Sequence, residues 1–218
     1  MFLAPPVDIG ERSTKMGDKR QETITKYLGD MKSVVSHVQT AMERQRDEFK
    51  DKAEVSQTMG RIAYGLQRQS ESLGARLEVL GGSPTHPVKE VVSDAAGVVA
   101  GLYNKVRTEG AAKGLRDDHV ALNLVCISYS TLHTTAVALG DAETASLAKR
   151  SLTETAKFVT EVDALIPPTV FQELQDAEFG GSLDSSAPAQ TRTVYREAWT
   201  ATETFERPSE PEMRPTSR

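Results

Sequence analysis

The sequence predicts an all-α protein, a four-helix bundle made of two helical hairpins, joined by a long crossover and followed by an extended C-terminal tail. Apolar residues recur three and four positions apart over long stretches, and glycine or proline clusters separate these stretches. Only 6% of the 218 residues are aromatic, which suits a core of aliphatic side chains. We expect an N-terminal extension over 1–18, a helical bundle over 19–180 and an extended or disordered tail over 181–218.

The first two predicted helices form one hairpin. They run from about Lys19 to about Asp51 and from about Ala53 to Leu80, each with an apolar stripe opposite a charged face. Gly81-Gly82 and the prolines after it are typical of a helix end. The stripe of the first helix contains Ile24, Tyr27, Leu28, Met31, Val34, Val35, Val38 and Met42.

The two hairpins are separated by a connection of about 35 residues, which is too long for a bundle turn. It includes a weaker helical stretch from Val88 to Val106, interrupted by glycines. Asp117 or Asp118 is predicted to cap the third helix, and Gly140 is predicted to end it. This connectivity of hairpin, long crossover and hairpin is that of a one-crossover bundle.

The fourth predicted helix begins at Asp141, which can act as its N-cap, and stops at Pro167-Pro168. A short helix from Pro168 to about Phe179 is expected to pack across one end of the bundle. In the interior, five residues are expected to converge on one dry core layer. They are Val35, Ile62, Leu122, Val125 and Phe158.

The predicted tail is distinguished by three aromatic residues in a stretch rich in Ser, Thr, Pro, Glu and Arg. Such a composition buries too little apolar surface to fold alone. Tyr195, Trp199 and Phe205 are nevertheless of the type that anchors interfaces, and Trp199 is the only tryptophan. We predict that these three residues bind a partner, or that the tail folds back onto its own bundle.

The charge pattern and composition argue against several classes of partner. A net charge of -5 with both signs mixed gives no basic face for nucleic acid. The apolar stretch from Val120 to Leu139 is long enough to span a bilayer, but its Asn, Ser, Thr and His residues predict a buried helix instead. The N-terminal residues lack a signal-peptide pattern, and Cys126 is the only cysteine. We therefore expect a cytoplasmic protein without membrane insertion.

The sequence offers no complete pattern for metal chemistry or catalysis. A di-metal bundle needs inward carboxylates and two Glu-x-x-His pairs, and no histidine of this chain has a glutamate three residues before it. Glu154, His37 and His133 are weak candidates for a relocated metal site. His119 is expected to be solvated or to cap a helix. We predict no cofactor, no catalytic residues and no enzymatic activity.

Several short segments resemble a known family. Tyr129-Ser130-Thr131-Leu132, Ala138-Leu139-Gly140 and the run from Ala145 to Glu154 are similar to landmarks of the YciF-like bacterial stress proteins, which have ferritin-like folds. Arg76 to Gly81 resembles the end of the second helix of that family, and Leu28-Gly29-Asp30 resembles an early motif in its first. The resemblance covers about residues 20–166 and implies a ferritin-like bundle.

The resemblance also implies that the metal-ligand pattern of the family is missing here. Carried over position by position, the ligands of the first three helices fall at about Val35, Ile62, Gly65, Leu122 and Val125. In the fourth helix Glu154 remains, but the position three or so residues further is Phe158 or Val159. Aliphatic side chains at these places would fill the volume of a metal and its ligands.

The sequence thus favours a non-catalytic ferritin-like protein that acts as a structural or assembly subunit. Its partner would be another protein or a further copy, bound through the bundle surface and the C-terminal tail. One alternative is a divergent iron-binding or oxidative-stress protein with ligands moved to Glu154, Glu161, His37 or His133. Another is a carrier of an apolar small molecule, suggested by the small residues Gly65, Ala96, Gly97 and Gly101.

Overall fold

The computed structural model describes residues 9–82, 110–177 and 182–203, with side chains between residues 17 and 200. Within these ranges the chain forms five α-helices and no strands. The predicted helix from Val88 to Val106 lies outside the described residues. The helices are α1 (Ile9–Glu48), α2 (Ala53–Val79), α3 (Ala111–Leu139), α4 (Ala142–Asp176) and α5 (Ala187–Glu203).

Helices α1 to α4 form the predicted four-helix bundle. Extensive packing joins α1 to α2 and α3 to α4, while α1 also contacts α3 and α2 contacts α4 more sparsely. The shared interior is mostly aliphatic, as the apolar stripes predict, and it also contains the rings of Phe49, Tyr129 and Phe158. Its fully buried side chains include Leu28, Val35, Val38, Met42, Met59, Ile62, Leu66, Leu73, Leu115, Leu122, Val125 and Leu132.

Three of the predicted helix boundaries are confirmed by their local geometry. Gly140 follows α3 with a φ of 78°, a left-handed conformation in which glycine has no Cβ penalty. Asp141 then caps α4, because its Oδ1 accepts a hydrogen bond from the Thr144 amide at 3.0 Å. At the end of α2, the Gly82 amide donates to the Leu77 carbonyl at 2.9 Å.

The start of α3 lies earlier than predicted. The helix begins at Ala111, and the Ala112 amide donates at 3.1 Å to Oε1 of Glu173 on α4. The cap therefore comes from a distant carboxylate. Asp117 and Asp118 lie within the helix and are buried, so their predicted role as N-caps is wrong.

The predicted stop of the fourth helix at Pro167-Pro168 is also wrong. Helix α4 continues through both prolines to Asp176, and no separate short helix forms there. Proline removes two backbone donors, but the helix is held on both sides of the pair by buried Leu165 and Thr169. Tertiary packing thus outweighs the local penalty.

The two ends of the described chain contain more helix than predicted. Helix α1 starts at Ile9, so part of the expected N-terminal extension is helical. The expectation of an extended tail is corrected over Ala187–Glu203, which form α5. Asp184 lies in the turn that precedes this helix, where its Oδ1 accepts from the Ser186 amide at 2.9 Å, and Pro188 fits the first turn.

By length and composition, α3 is the one helix in the described part that would suffice to cross a membrane. One third of its most apolar window is buried inside the structure. Its core-facing side packs as the predicted buried helix, through residues such as Leu122 and Val125. The opposite side remains on the surface.

Candidate functional site

The C-terminal helix α5 presents the predicted partner-binding aromatics. Tyr195 and Trp199 lie one turn apart, with ring centroids separated by 5.9 Å and ring planes inclined by 55°. Tyr195 is 42% exposed and Trp199 is 60% exposed, so most of the indole surface faces outward. Phe205, the third predicted anchor, lies outside the described residues.

One carboxylate on α4 attaches α5 to the bundle. The Tyr195 hydroxyl donates to Oδ2 of Asp163 at 2.7 Å, and the other carboxylate oxygen, Oδ1, accepts from Nδ1 of His119 on α3. Asp163 thereby links three helices. Partial burial and the hydrogen bond to this carboxylate raise the pKa of Tyr195 to about 12, so the hydroxyl keeps its donating proton.

The expectation for His119 is corrected by this contact. Since α3 starts at Ala111, His119 lies in the third turn of the helix and does not cap it. Its side chain is 26% exposed and is held by Asp163. The sequence did not reveal this role of His119, because Asp163 lies 44 residues away along the chain and no local motif joins the two residues.

A groove of about 680 Å³ lies beside these contacts, between α5 and the surface of α3 and α4. Its walls are mostly apolar, with Val159 and Ile166 on one side and the Trp199 ring on the other. Arg192 and Arg196 of α5 also line it. The groove thus joins an exposed aromatic anchor to an apolar surface, which is the usual centre of a protein interface.

The three weak metal-ligand candidates lie in separate environments. His37 is exposed, and its Nδ1 donates to the Ser33 carbonyl of its own helix at 2.8 Å. His133 is half-buried on α3. Across the described ranges, no group of three or more His, Cys, Asp and Glu side chains is placed to hold a metal ion.

The glutamates proposed as relocated ligands are bound by arginines. Glu154 accepts from Arg68 at 2.5 Å and from the Gln69 amide nitrogen at 3.0 Å. Glu161 forms an ion pair with Arg61 at 2.9 Å. Each carboxylate is therefore already neutralised on the α2–α4 surface, and metal binding would have to displace its guanidinium partner.

The ligand positions carried over from the YciF-like family do not fit a metal. Val35, Ile62, Leu122 and Val125 are all fully buried apolar side chains. At Gly65, the absence of a side chain is compensated by the ring of Phe158, whose Cε2 would lie only 3.0 Å from an added Cβ. An aromatic ring therefore lies where the family pattern places facing ligands.

The same contact bears on the predicted apolar carrier. Gly65 leaves no space for a ligand, because Phe158 packs directly against its backbone. The other small residues invoked for a carrier, Ala96, Gly97 and Gly101, lie outside the described residues. At Gly65, which is the one of these four positions within the described residues, the interior is therefore filled by Phe158.

Comparison with solved structures identifies ferritin-like bundles as structural neighbours. A Dps homologue from the archaeon Halobacterium salinarum has a TM-score of 0.56 and 18% identity, covering 68% of this chain and 81% of the homologue. The bacterioferritin of Desulfovibrio desulfuricans, whose structure contains a diiron site, has a TM-score of 0.59 and 18% identity. That match covers 77% of this chain and 95% of the bacterioferritin. At this identity the likeness shows the fold, which confirms the predicted ferritin-like bundle.

Sequence comparison identifies the family. No curated protein sequence matches the chain. Residues 19–175 match the family described as "Domain of unknown function (DUF892)". This range covers most of the four bundle helices and stops before α5, which lies outside the matched region. The chain therefore belongs to the DUF892 family and has a ferritin-like fold.

Proposed function

We propose that this protein is a non-catalytic ferritin-like subunit with a structural or assembly role, and that α5 docks it on a protein partner. The observation that carries the proposal is the contact of Phe158 with Gly65. A ring and a bare backbone at these positions supply packing and no ligand atoms. In this proposal the ferritin-like fold is retained, and packed apolar side chains occupy the positions at which a metal centre would have its ligands.

The docking part of the proposal is supported by the surface of α5. Apart from half-buried Pro188, all of its residues whose side chains are described are exposed. Helix α5 buries few of its side chains against the bundle and leaves apolar ones on the surface, which is typical of a helix that contacts another protein. Trp199, at 60% exposure beside an apolar groove, is suited to become the buried anchor of that contact.

Metal analysis tests the non-catalytic role. Protein purified from cells grown with added iron should contain far less than one iron per chain and show no metal-dependent oxidase activity. About two irons per chain, as in di-iron bundles, would contradict the proposal. That result would favour the alternative of a divergent iron-binding or oxidative-stress protein, and loss of the iron in Glu154→Ala would then locate its site.

Trp199 provides a direct test of docking, because it is the only tryptophan in the chain. If a protein copurifies with the tagged chain, adding that protein should shift the fluorescence of Trp199 to shorter wavelength. Trp199→Ala should weaken that association by about 2 kcal/mol, as expected for an aromatic anchor. Val194→Ala is the matched control, since Val194 is 64% exposed on the same helix. Equal affinity of the parent, Trp199→Ala and Val194→Ala for the partner would exclude α5 as the docking element.

A further inference from the structure

A second groove lies on the outer surface of the bundle, between α2 and α4. Its volume is about 690 Å³, which is within the range of small-molecule sites, and it shares no lining residue with the groove beside α5. Basic side chains line both of its sides, so we call it the basic groove. They are Arg68 on α2 and Lys149, Arg150 and Lys157 on α4.

Most of the positive charge in the basic groove is not neutralised by the protein. Within the described part of the chain, the ion pairs between α2 and α4 use three arginines of α2 and leave out Lys149, Arg150 and Lys157. Arg150 donates to the Ser146 hydroxyl at 2.8 Å, which does not neutralise its charge. Cations that line one concave surface focus a positive potential there, and that potential attracts an anion.

Arg68 is held in a fixed orientation at the edge of the basic groove. Its Nη2 donates to Oε1 of Glu154 at 2.5 Å, and its guanidinium carbon lies 5.7 Å from the centroid of the Tyr64 ring, a cation–π distance. The carboxylate of Glu154 is fixed in turn, because buried Gln69 donates to its Oε2 at 3.0 Å. A guanidinium held in this way loses little conformational freedom when its other N–H groups bind a ligand.

The groups that line the basic groove suit phosphate oxygens. Guanidinium and ammonium groups form strong, charge-assisted hydrogen bonds with phosphate. The floor is also polar, since buried Gln69 and Ser151 line it. An apolar ligand would remove these charges from water without compensation.

The extent of the basic groove limits the size of its ligand. The cations from Lys149 to Lys157 cover about 12 Å along α4, a span that matches linked phosphates better than a single phosphate. The carboxylates of Glu143 and Glu161 lie beyond its two ends and pair there with arginines of α2. A nucleic acid or a membrane surface would extend past both ends and meet these carboxylates.

We propose that the basic groove binds a small molecule that carries two or three linked phosphate groups. Arg68, Lys149, Arg150 and Lys157 supply the positive charge, and Glu154 orients Arg68. Because the groove is open to solvent, we expect a submillimolar dissociation constant at low ionic strength and weaker binding in salt. This site goes beyond the docking role of α5 and does not depend on it.

Calorimetric titration of the full chain with inorganic tripolyphosphate tests the proposal. Protein and buffer are first freed of divalent metals, so that no metal bridges the phosphates to a carboxylate. We expect tripolyphosphate to bind about tenfold more tightly than inorganic phosphate, because it contacts more of the cations. Its affinity should fall when NaCl is raised from about 0.02 to about 0.2 M. Absence of tripolyphosphate binding at the lower salt concentration would overturn the site.

Matched charge variants locate the ligand. Lys149→Gln combined with Lys157→Gln should weaken tripolyphosphate binding about tenfold, because half of the cations of the groove are lost. Lys19→Gln combined with Lys50→Gln is the control, since it removes the same charge from exposed lysines outside the groove. Lys149→Arg combined with Lys157→Arg keeps the charge and should retain binding. Equal weakening in the glutamine pair and its control would show an effect of net charge alone and overturn the groove.

Glu154→Gln provides a test that misfolding cannot imitate. Among the described residues that line the groove, Glu154 is the one carboxylate, so its neutralisation should strengthen tripolyphosphate binding several-fold. Unchanged or weaker affinity would place the ligand away from Glu154 and overturn the assignment. Circular dichroism checks that every variant is folded.

Other ligands distinguish the source of the phosphates. Adenosine triphosphate that binds as tightly as tripolyphosphate supports recognition of the phosphates alone, and tighter binding supports a nucleotide. A DNA duplex or anionic lipid vesicles that bind more tightly than tripolyphosphate, at equal phosphate concentration, would overturn a small ligand. Trp199→Ala should bind tripolyphosphate like the parent, so failure of the basic groove and failure of α5 docking give different results.

Discussion

Gly65 is the residue whose substitution reports most directly on the bundle interior. An added Cβ would overlap the Cζ atom of Phe158 and lie 3.0 Å from its Cε2. The ring is 7% exposed and fixed within the core, so it has little room to move. The pair thus explains why a glycine is accommodated in the middle of α2 despite its low helix propensity.

We predict that Gly65→Ala lowers the free energy of unfolding by about 1–3 kcal/mol through overpacking. Gly17→Ala is the matched control, because nothing lies within 4 Å of a Cβ at Gly17, and it should be neutral or stabilising. Urea unfolding followed by circular dichroism measures both.

A second substitution shows whether the ring is the cause. Phe158→Leu alone should be destabilising because it leaves a cavity. Combined with Gly65→Ala, it should cost less than the sum of the two single changes, since the new methyl group occupies space that the ring has left. Strict additivity of the two changes would contradict the proposed contact.

Asp163 shows why candidate site residues were hard to identify from the sequence. Its partners His119 and Tyr195 lie on two other helices, 44 and 32 residues away. The side chains meet only after the second hairpin has formed and α5 has docked. By contrast, Trp199 was identifiable by itself, because a lone tryptophan in a polar segment is conspicuous whatever the fold.

Helix α5 depends on few contacts with the bundle, and most of them are to α4. The hydrogen bond from Tyr195 to Asp163 is its clearest specific attachment. Local stability in proteins follows the number of buried contacts, so α5 should open far more often than the four bundle helices.

We predict that Tyr195→Phe accelerates backbone amide exchange in Ala187–Glu203 several-fold and leaves exchange in α2 unchanged. The ring is retained, so only the hydroxyl and its hydrogen bond are lost, and for a charged acceptor such a bond is worth about 1.5 kcal/mol or more. Tyr27→Phe is the matched control, since Tyr27 is 37% exposed on α1. Hydrogen exchange with mass spectrometry resolves the segments. Unchanged exchange in α5 would mean that its other contacts hold it.

The helices that were predicted correctly are those whose ends carry local signals. Gly140 and Asp141 mark the turn between α3 and α4, and both act there as their residue types predict. The errors occur where tertiary contacts decide. Glu173 caps α3 from another helix, and core packing carries α4 through Pro167-Pro168.

Helix α5 was missed for a different reason. Its composition is typical of disorder, and that average obscured a local start signal. Asp184, Ser186 and Pro188 form a recognisable helix N-terminus, and Gln190 donates to the Ser186 hydroxyl at 2.6 Å. Capping residues followed by proline were therefore the signal from which this helix could have been predicted.

The two hairpins of the bundle are joined at one end by a cluster of charges. Arg76, near the end of α2, forms an ion pair with Asp141 at 2.7 Å and a second pair with Glu143. The side chains of Arg76 and Asp141 are 13% and 11% exposed, so water screens their interaction weakly. Since α2 and α4 contact each other sparsely, this cluster contributes to holding one hairpin against the other.

The charge state of Asp141 makes this contribution depend on pH. Burial opposes ionisation of the carboxyl group, but hydrogen bonds from Thr144 and Arg76 outweigh burial and lower the pKa of Asp141 below its usual value. As pH falls, the unfolded chain takes up this proton first, near its ordinary pKa of about 4. The stabilisation is therefore complete above that pH and is lost as pH falls further through the lowered folded pKa.

We predict that Asp141→Asn lowers the free energy of unfolding by about 2–4 kcal/mol at pH 7, because Arg76 is left without its buried partner. The difference between parent and variant should stay constant from pH 7 to about 5 and shrink below about pH 4, where the unfolded parent chain takes up the proton first and the folded carboxylate follows at lower pH. Urea unfolding at each pH measures this difference, and subtraction removes the titration of carboxylates common to both proteins.

Asp47→Asn is the matched control, because Asp47 pairs with Arg46 on an exposed surface and should shift stability by less than about 1 kcal/mol. A parent–variant difference that persisted undiminished at low pH would show that the introduced amide disturbs the turn by its shape, and that the charge of Asp141 does not tie the hairpins together.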